Sequence, residues 1–124
     1  MVEGVVEPMG LQIYAGKGFD TQKAERFFKE RRIAYQRMDV LKYGIGRREL
    51  ESVAAAVGLE ALCDRDSKAF RESVLAYTQS RETILSGLME KPQLLRLPIV
   101  RNGKKATVGV CPDVWEKWIA DGIK

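Results

Sequence analysis

The chain has 124 residues and a mass of 14.0 kDa, enough for one domain with its own core. With 45% hydrophobic and 31% charged residues, the composition excludes a disordered tail, a coiled-coil rod and a membrane protein. No apolar run reaches the ~18–20 residues that span a bilayer. Residues 1–10 contain two glutamates, no basic cluster and several helix breakers, so we expect an irregular lead-in rather than a targeting peptide. These features predict a cytoplasmic protein.

The charged and reactive residues narrow the function classes further. The net charge is +4, but 21 basic residues are interleaved with 17 acidic ones, which is typical of solvated helix faces. No nucleic-acid-binding motif accompanies the charge. The chain has no histidine, so the commonest general base and zinc ligand are missing. The two cysteines, Cys63 and Cys111, lack metal-ligand spacing, so we predict no metal site.

The first forty residues predict a β-α-β unit. Leu11–Ala15 alternates apolar and polar residues, as a short strand does. Residues 16–18 contain two glycines and form a turn, after which Asp20 or Thr21 is placed to cap a helix. Ala34–Val40 then has the aromatic and β-branched content of a second strand. A unit of this kind joins two parallel strands through a right-handed crossover.

The middle of the chain has helical periodicity only. Residues 47–57 form an apolar face that ends at Gly58. Ser67 and Ser80 are placed to cap two further helices, and the proline of Lys91-Pro92 ends the second one. The apolar positions of the helix that starts at Ser67 are Phe70, Val74 and Tyr77. We therefore expect a helical insert over about residues 46–92.

Strand character returns near the C-terminus. Leu97–Arg101 and Ala106–Val110 read as two strands joined at residues 102–103, an Asn-Gly pair that is a strong hairpin signal. Pro112 is placed as the first residue of a last helix, with both tryptophans on its apolar face. The order β-α-β, helical insert, β-hairpin, α predicts the α/β class and a thioredoxin-like fold, in which β-α-β and β-β-α units form one mixed sheet.

Four segments of the sequence resemble the arsenate reductase (ArsC)/Spx family. They are Leu11–Lys29, Arg47–Leu50, Ser67–Phe70 and, most specifically, Leu94–Ile119 (LLRLPIVRNGKKATVGVCPDVWEKWI). The resemblance is to small ArsC-related bacterial proteins, and it implies a single thioredoxin-like domain over residues 11–124. In this family a nucleophilic cysteine follows the first strand, at a helix N-terminus that lowers the pKa of its thiol.

The residues that perform this chemistry in the family do not match here. The resemblance places Phe19 at the nucleophile position and Gln22 at the second cysteine of the Spx-type pair. Leu97 stands where arsenate reductases have an arginine before their cis-proline, which corresponds to Pro98, and Arg65 lies near a second family arginine. The resemblance therefore implies a glutaredoxin-related protein without the catalytic cysteine, acting as a non-enzymatic binding or regulatory module with an unknown protein partner. Spx proteins bind RNA polymerase.

The predicted topology brings several of these residues to one end of the sheet. The third strand should run antiparallel to the first and the fourth parallel to it, so the end of the first, the start of the third and the end of the fourth share one edge. The expected edge of the pocket consists of Gly16, Lys17, Gly18, Phe19, Leu97, Pro98 and Cys111. Phe19 is expected either to plug this pocket or to be an exposed apolar contact. Lys17 and Arg65 are candidate anion contacts.

An enzymatic alternative depends on Cys111. This residue directly precedes the last helix, where free N–H groups would lower the pKa of a thiol. The alternative is a monothiol oxidoreductase, similar to arsenate reductase and coupled to glutathione or glutaredoxin. A glutathione site without a nucleophile of its own is a third hypothesis. The binding module needs no cofactor, and Cys63 is expected to be a packing residue.

Overall fold

The computed structural model describes residues 11–122, in which four strands form one mixed sheet in the order β2-β1-β3-β4. β1 pairs in parallel with β2 and antiparallel with β3, which pairs antiparallel with β4. The strands are Leu11–Ala15 (β1), Tyr35–Asp39 (β2), Ile99–Asn102 (β3) and Lys105–Val108 (β4). The predicted α/β class and mixed sheet are confirmed. The predicted lead-in at residues 1–10 lies outside the described residues.

Helices cover both faces of this sheet. The α-helices are Phe19–Glu30 (α1), Val40–Tyr43 (α2), Arg47–Val57 (α3), Lys68–Arg71 (α4), Arg81–Glu90 (α5) and Pro112–Ala120 (α6). Three 3₁₀ helices span Glu60–Leu62, Val74–Tyr77 and Pro92–Leu94. The helices from α2 to the last 3₁₀ helix all lie between β2 and β3 in the chain. The predicted helical insert between the second and third strands is therefore confirmed. Over residues 11–122, no helix is both long enough and apolar enough to cross a membrane.

Local capping residues start and end the insert helices as predicted. Ser67 Oγ accepts a hydrogen bond from the backbone N–H of Phe70 at 3.1 Å, and Ser80 Oγ accepts one from Thr83 at 3.2 Å. Gly58 ends α3 in the left-handed region, at φ +90°. These contacts satisfy backbone groups that a helix end would otherwise leave without partners.

The helix that starts at Ser67 is shorter than predicted. It ends at Arg71, and Ser73 Oγ accepts a hydrogen bond from the backbone N–H of Leu75, which starts a separate 3₁₀ helix. This second cap turns Leu75 into the core and leaves Val74 and Tyr77 exposed. The predicted apolar face of this helix is therefore wrong beyond Phe70, because the periodicity is broken by the second cap.

The predicted cap of α1 is also wrong. The helix begins at Phe19 with Gly18 as N-cap, so Asp20 and Thr21 lie inside its first turn. The Thr21 side chain is buried, and its Oγ1 accepts a hydrogen bond from the backbone N–H of Gly16 at 3.0 Å. Thr21 thus closes the preceding loop instead of capping the helix.

The hairpin turn lies one residue later than predicted. β3 includes Asn102, which pairs with Lys105, so the two loop residues are Gly103 and Lys104. Gly103 has φ +63°, and glycine with positive φ at the first loop position is the pattern of a type II′ turn. β4 also ends at Val108, because the left-handed φ of Gly109 interrupts the extended backbone before the predicted end at Val110.

Two apolar clusters pack on opposite faces of the sheet. On one face, Tyr14 and Ile99 pack against the insert helices, and on the other, Leu11, Ile13 and Val100 pack against α1 and α6. The predicted core role of the two tryptophans of α6 is confirmed. The second cluster consists of Leu11, Ile13, Ala24, Phe28, Ile33, Val100, Trp115 and Trp118. The end of β1 is thus held rigidly between the two layers, and the loop after it starts from a fixed position.

Candidate functional site

The loop after β1 lies directly against the segment that precedes β3. A Cβ added to Gly16 would be 2.7 Å from Cδ1 and 2.9 Å from Cβ of Leu97, so only glycine fits there without displacing the leucine. The Leu97–Pro98 peptide bond is cis, and the carbonyl of Pro98 accepts a hydrogen bond from Gly109 N–H at 2.8 Å. These contacts join the end of β1, the start of β3 and the end of β4, as the predicted topology requires.

Phe19 is the first residue of α1, and 77% of its surface is exposed to solvent. Of the two expected placements, the ring therefore takes that of an exposed apolar contact and does not plug a pocket. Residues 16–22 contain no cysteine, so neither the loop nor the first turn of α1 carries a thiol. An aromatic ring that remains in water beside a loop contributes no packing energy to the fold.

The thiol of Cys111 faces the core and a carbonyl. Its Sγ donates to the carbonyl oxygen of Val108 at 3.4 Å, and the side chain packs against the cluster that contains Trp115. Although Cys111 is the N-cap of α6, its side chain makes no capping hydrogen bond. Burial raises the pKa of the Cys111 thiol, and a hydrogen bond with Thr107 lowers it by less. The predicted lowering is therefore wrong, since the thiol does not point at the N–H groups of the helix.

Cys63 lies in the insert, where it is 2% exposed and its Sγ donates to the carbonyl oxygen of Leu59 at 3.6 Å. Burial raises the pKa of this thiol as well, and the nearby carboxylate of Glu60 adds to the increase. Both cysteines are free. The packing role predicted for Cys63 fits this environment.

Arg65, a candidate anion contact, is already paired. Its guanidinium donates two hydrogen bonds to the carboxylate of Glu60 and lies 5.1 Å from the centre of the Phe70 ring. Arg65 lowers the pKa of Glu60, as expected for a carboxylate held by a guanidinium. Binding an external anion at Arg65 would have to compete with this bidentate partner.

A cavity of about 340 Å³ beside the loop is lined by Gly16, Lys17, Arg37, Asp39, Leu41 and Lys42. It shares Gly16 and Lys17 with the predicted pocket edge, whereas Phe19, Leu97, Pro98 and Cys111 are not among its lining residues. Three of these lining residues are basic and one is acidic. Arg37 and Lys42 were missed in the sequence analysis, although β2 is unusually polar for a strand.

The alignment of the chain with known proteins identifies its family. The family model described as "ArsC family" matches residues 20–118. The chain belongs to the ArsC family. The curated relative "Global transcriptional regulator Spx 2" of Oceanobacillus iheyensis is 29% identical over 108 residues, which is 85% of this chain and 80% of the relative.

Solved structures share the fold of this ArsC-family chain. An arsenate reductase from Vibrio cholerae superimposes with a TM-score of 0.79 at 22% identity, over 90% of this chain and 98% of that one. An arsenate reductase (ArsC) related protein from Brucella melitensis superimposes with a TM-score of 0.64 at 24% identity, over 93% of this chain and 98% of that one. At these identities the likeness concerns the thioredoxin-like fold alone.

Among residues 11–122 of this ArsC-family protein, no group of three or more cysteine, aspartate or glutamate side chains is arranged to hold a metal ion. One of the cavity's cations, Arg37, is paired with a carboxylate. Glu25 of α1 accepts a hydrogen bond from Tyr35 Oη at 2.7 Å and from Arg37 Nε at 3.2 Å. These two bonds tie the helix to the outer strand β2 and orient Arg37 beside the cavity.

Tyr35 is expected to ionise unusually late. Burial, followed by the hydrogen bond to Glu25 and the negative charge of that carboxylate, raises the pKa of Tyr35 from 10.0 to about 12. Because the folded-state pKa is the higher one, the stabilisation from this phenol is complete below pH ~10 and disappears as the pH rises to about 12. An ultraviolet titration of phenolate absorbance measures this step.

The Tyr35 step has direct controls. Tyr35→Phe should reduce the absorbance change near pH 12, and Glu25→Gln should move it to lower pH, since two of the three causes that raise the pKa depend on the carboxylate. Tyr77→Phe, at an exposed position in the insert, should leave that step unchanged. A titration in which Glu25→Gln leaves the step in place would contradict the assignment.

Proposed function

We propose that this ArsC-family protein is a non-enzymatic binding module that regulates a protein partner, and that it lacks arsenate and thiol reductase activity. The observation that supports this most strongly is Phe19. It takes the position that the family resemblance assigns to the nucleophile, at the N-terminus of α1, and it is 77% exposed. A phenyl ring cannot attack, ionise or form a mixed disulfide, but it can bury apolar surface against a partner.

The environment of Cys111 argues against the enzymatic alternative. A reductase of this kind needs a thiolate, and an electropositive, accessible environment produces one. Burial raises the pKa of Cys111 instead, and its Sγ donates to the Val108 carbonyl. This environment therefore disfavours the thiolate form of Cys111. Under the enzymatic alternative, glutathione would act as a reductant only if Cys111 reacts, so the same environment argues against that role.

The kind of partner is suggested by the Spx relative, whose name describes a global transcriptional regulator. Regulation of this type needs an exposed contact surface rather than a reaction centre. The loop at Lys17 and Phe19 offers one, since the ring and the ammonium are both exposed and start from the rigid end of β1. We therefore assign the partner-binding edge to this loop and take RNA polymerase as the first partner to test.

The absence of catalysis is tested by arsenate reduction coupled to glutathione and glutaredoxin. Wild type and Cys111→Ser are both expected to show no turnover above background. Turnover by the wild type that disappears in Cys111→Ser would overturn the proposal and establish the monothiol alternative.

Reintroducing a cysteine tests whether the loop still favours thiolate formation. In Phe19→Cys, the N-terminus of α1 should lower the pKa of the new thiol below the free-cysteine value of ~8.5, measured by pH-dependent alkylation. Ser86→Cys, at an exposed position inside α5, is the control and should titrate at or above that value, because the Glu82 carboxylate lies beside it. Equal pKa values for the two thiols would show that this loop does not activate a nucleophile.

The partner-binding edge is tested by capture of purified bacterial RNA polymerase on the immobilised protein. Phe19→Ala and Lys17→Ala should each reduce the polymerase retained, while Ser86→Ala should not. Both loop side chains are exposed, so neither substitution should affect folding. No retention by the wild type would exclude this partner, and retention that both loop variants preserve would exclude this edge.

A further inference from the structure

The cavity beside the loop has walls from two separate parts of the chain. Gly16 and Lys17 form one wall, and the other consists of β2 and α2, which contribute Arg37, Asp39 and Lys42. Asp39 Oδ1 accepts a hydrogen bond from the backbone N–H of Lys42 at 3.2 Å, so its carboxylate is engaged in starting α2. The cavity therefore has an excess of positive charge held on a short, ordered scaffold.

Two of the three cations have no carboxylate partner in the described structure. Arg37 donates to Glu25, whereas neither Lys17 nor Lys42 forms an ion pair with any residue from 11 to 122. Like charges on residues that line one cavity repel each other, and an incoming anion relieves that repulsion. The cavity thus favours an occupant that carries negative charge.

An exposed aromatic ring follows each lysine closely along the chain. Phe19 comes two residues after Lys17 and is 77% exposed, and Tyr43 comes directly after Lys42 and is 76% exposed. The Nζ of Lys42 lies 5.3 Å from the centre of the Tyr43 ring, so cation and ring form one contact unit. Large exposed aromatic side chains next to charged groups are typical anchor residues of protein interfaces.

The position of the rings favours a polypeptide over a small anion. Neither ring lines the cavity, so a free phosphate or carboxylate bound between the lysines would leave both rings in water. A chain segment can place an acidic side chain in the cavity and apolar side chains on the rings at the same time. Lysine also supplies a point charge, whereas bidentate recognition of phosphate favours arginine, and Arg37 is already paired.

We propose that this cavity and its two flanking rings bind an acidic segment of a protein partner, with a carboxylate between Lys17 and Lys42 and apolar side chains on Phe19 and Tyr43. This inference rests on the proposed function and adds the chemistry of the partner. It also extends the binding edge from the β1–α1 loop across β2 to α2.

The probe is a short synthetic peptide in which aspartate and glutamate alternate with leucine and phenylalanine. It is titrated into isotope-labelled protein and followed by two-dimensional NMR. The backbone amides of Lys17, Phe19, Lys42 and Tyr43 should shift together. A peptide with lysine in place of every acidic residue should bind at least about tenfold more weakly, because the surface selects by charge.

A charge-reversal double variant tests whether Lys17 and Lys42 together carry the binding. Lys17→Glu combined with Lys42→Glu should lower the affinity for the acidic peptide at least about tenfold. The matched control combines Lys104→Glu in the hairpin turn with Lys117→Glu in α6, which changes the net charge equally and should alter affinity less than about twofold. The NMR spectra of both double variants report whether the fold is intact.

Three results of the peptide titrations would overturn the inference. They are the absence of shifts at these amides, equal binding of the acidic and basic peptides, and unchanged affinity in the Lys17→Glu, Lys42→Glu variant. Pyrophosphate that shifts the same amides and binds more tightly than the peptide would also overturn it and identify a small-anion site. Arsenate turnover and polymerase capture are independent measurements, so failure of the peptide experiment leaves the proposed function standing.

Discussion

Trp115→Ala is expected to lower the free energy of unfolding by about 3–5 kcal/mol, the usual cost of truncating a buried large aromatic residue. Trp115 is 0% exposed, and its ring centre lies 5.1 Å from those of Phe27 and Phe28. Its Nε1 donates to Thr107 Oγ1 at 2.8 Å, so the residue joins α6 to both α1 and β4. Truncation would create a cavity and also leave a buried hydroxyl without its donor.

The measurement is urea denaturation followed by circular dichroism. Val114→Ala is the matched control, since it lies one residue earlier in the same helix at 40% exposure, and it should cost less than ~1 kcal/mol. Trp115→Phe keeps an aromatic ring but removes the hydrogen-bond donor. Its loss in free energy of unfolding should lie between those of Val114→Ala and Trp115→Ala. A loss below ~1 kcal/mol for Trp115→Ala would show that this cluster does not stabilise the fold.

Gly16→Ala is expected to cost about 1–3 kcal/mol, because the added Cβ would lie 2.7 Å from Cδ1 and 2.9 Å from Cβ of Leu97. The second contact is close to the backbone of Leu97 and cannot be relieved by rotating the end of the side chain. The backbone at Gly16 does not have the left-handed φ that favours glycine, so the expected cost comes from this contact.

A double-mutant cycle isolates that contact. In the Leu97→Ala background, Gly16→Ala should cost much less, which gives a coupling energy of at least about 0.5 kcal/mol. Gly46→Ala is the control, because its added Cβ would approach only the flexible carboxylate of Glu49. Additive costs at Gly16 and Leu97 would show that the loop after β1 and the segment before β3 are not packed as described.

Features that depend on a few neighbouring residues were predictable from the sequence. Ser80 and Gly58 act through their own side chain or φ angle on backbone groups within a few residues, and Pro112 supplies the fixed φ that suits a first helical position. These local signals, together with the alternation of apolar and polar residues in β1, were enough to predict the element order and the mixed sheet. The turn at Gly103 was misplaced by one residue because a glycine at either loop position gives a good hairpin signal.

The candidate site was less predictable because side-chain direction matters there. The sequence placed Cys111 before a helix, but only packing against the Trp115 cluster directs its thiol toward the Val108 carbonyl and raises its pKa. From the sequence, Arg65 was a candidate contact for an external anion, whereas in the folded protein it is hydrogen-bonded to Glu60. Periodicity does not reveal such pairings, because they depend on rotamers and on residues from the next element.

The amino-acid sequence by itself determined that this chain is an α/β protein with ArsC-family segments and with no cysteine in the loop after its first strand. Those properties lie in residue identity and in local spacing. The tertiary structure alone decided that Lys17 shares a cavity with Arg37 and Lys42, and that Phe19 is left in solvent. Parallel pairing of β1 with β2 brings these distant residues together, and the register of that pairing is set by the packing of both faces of the sheet.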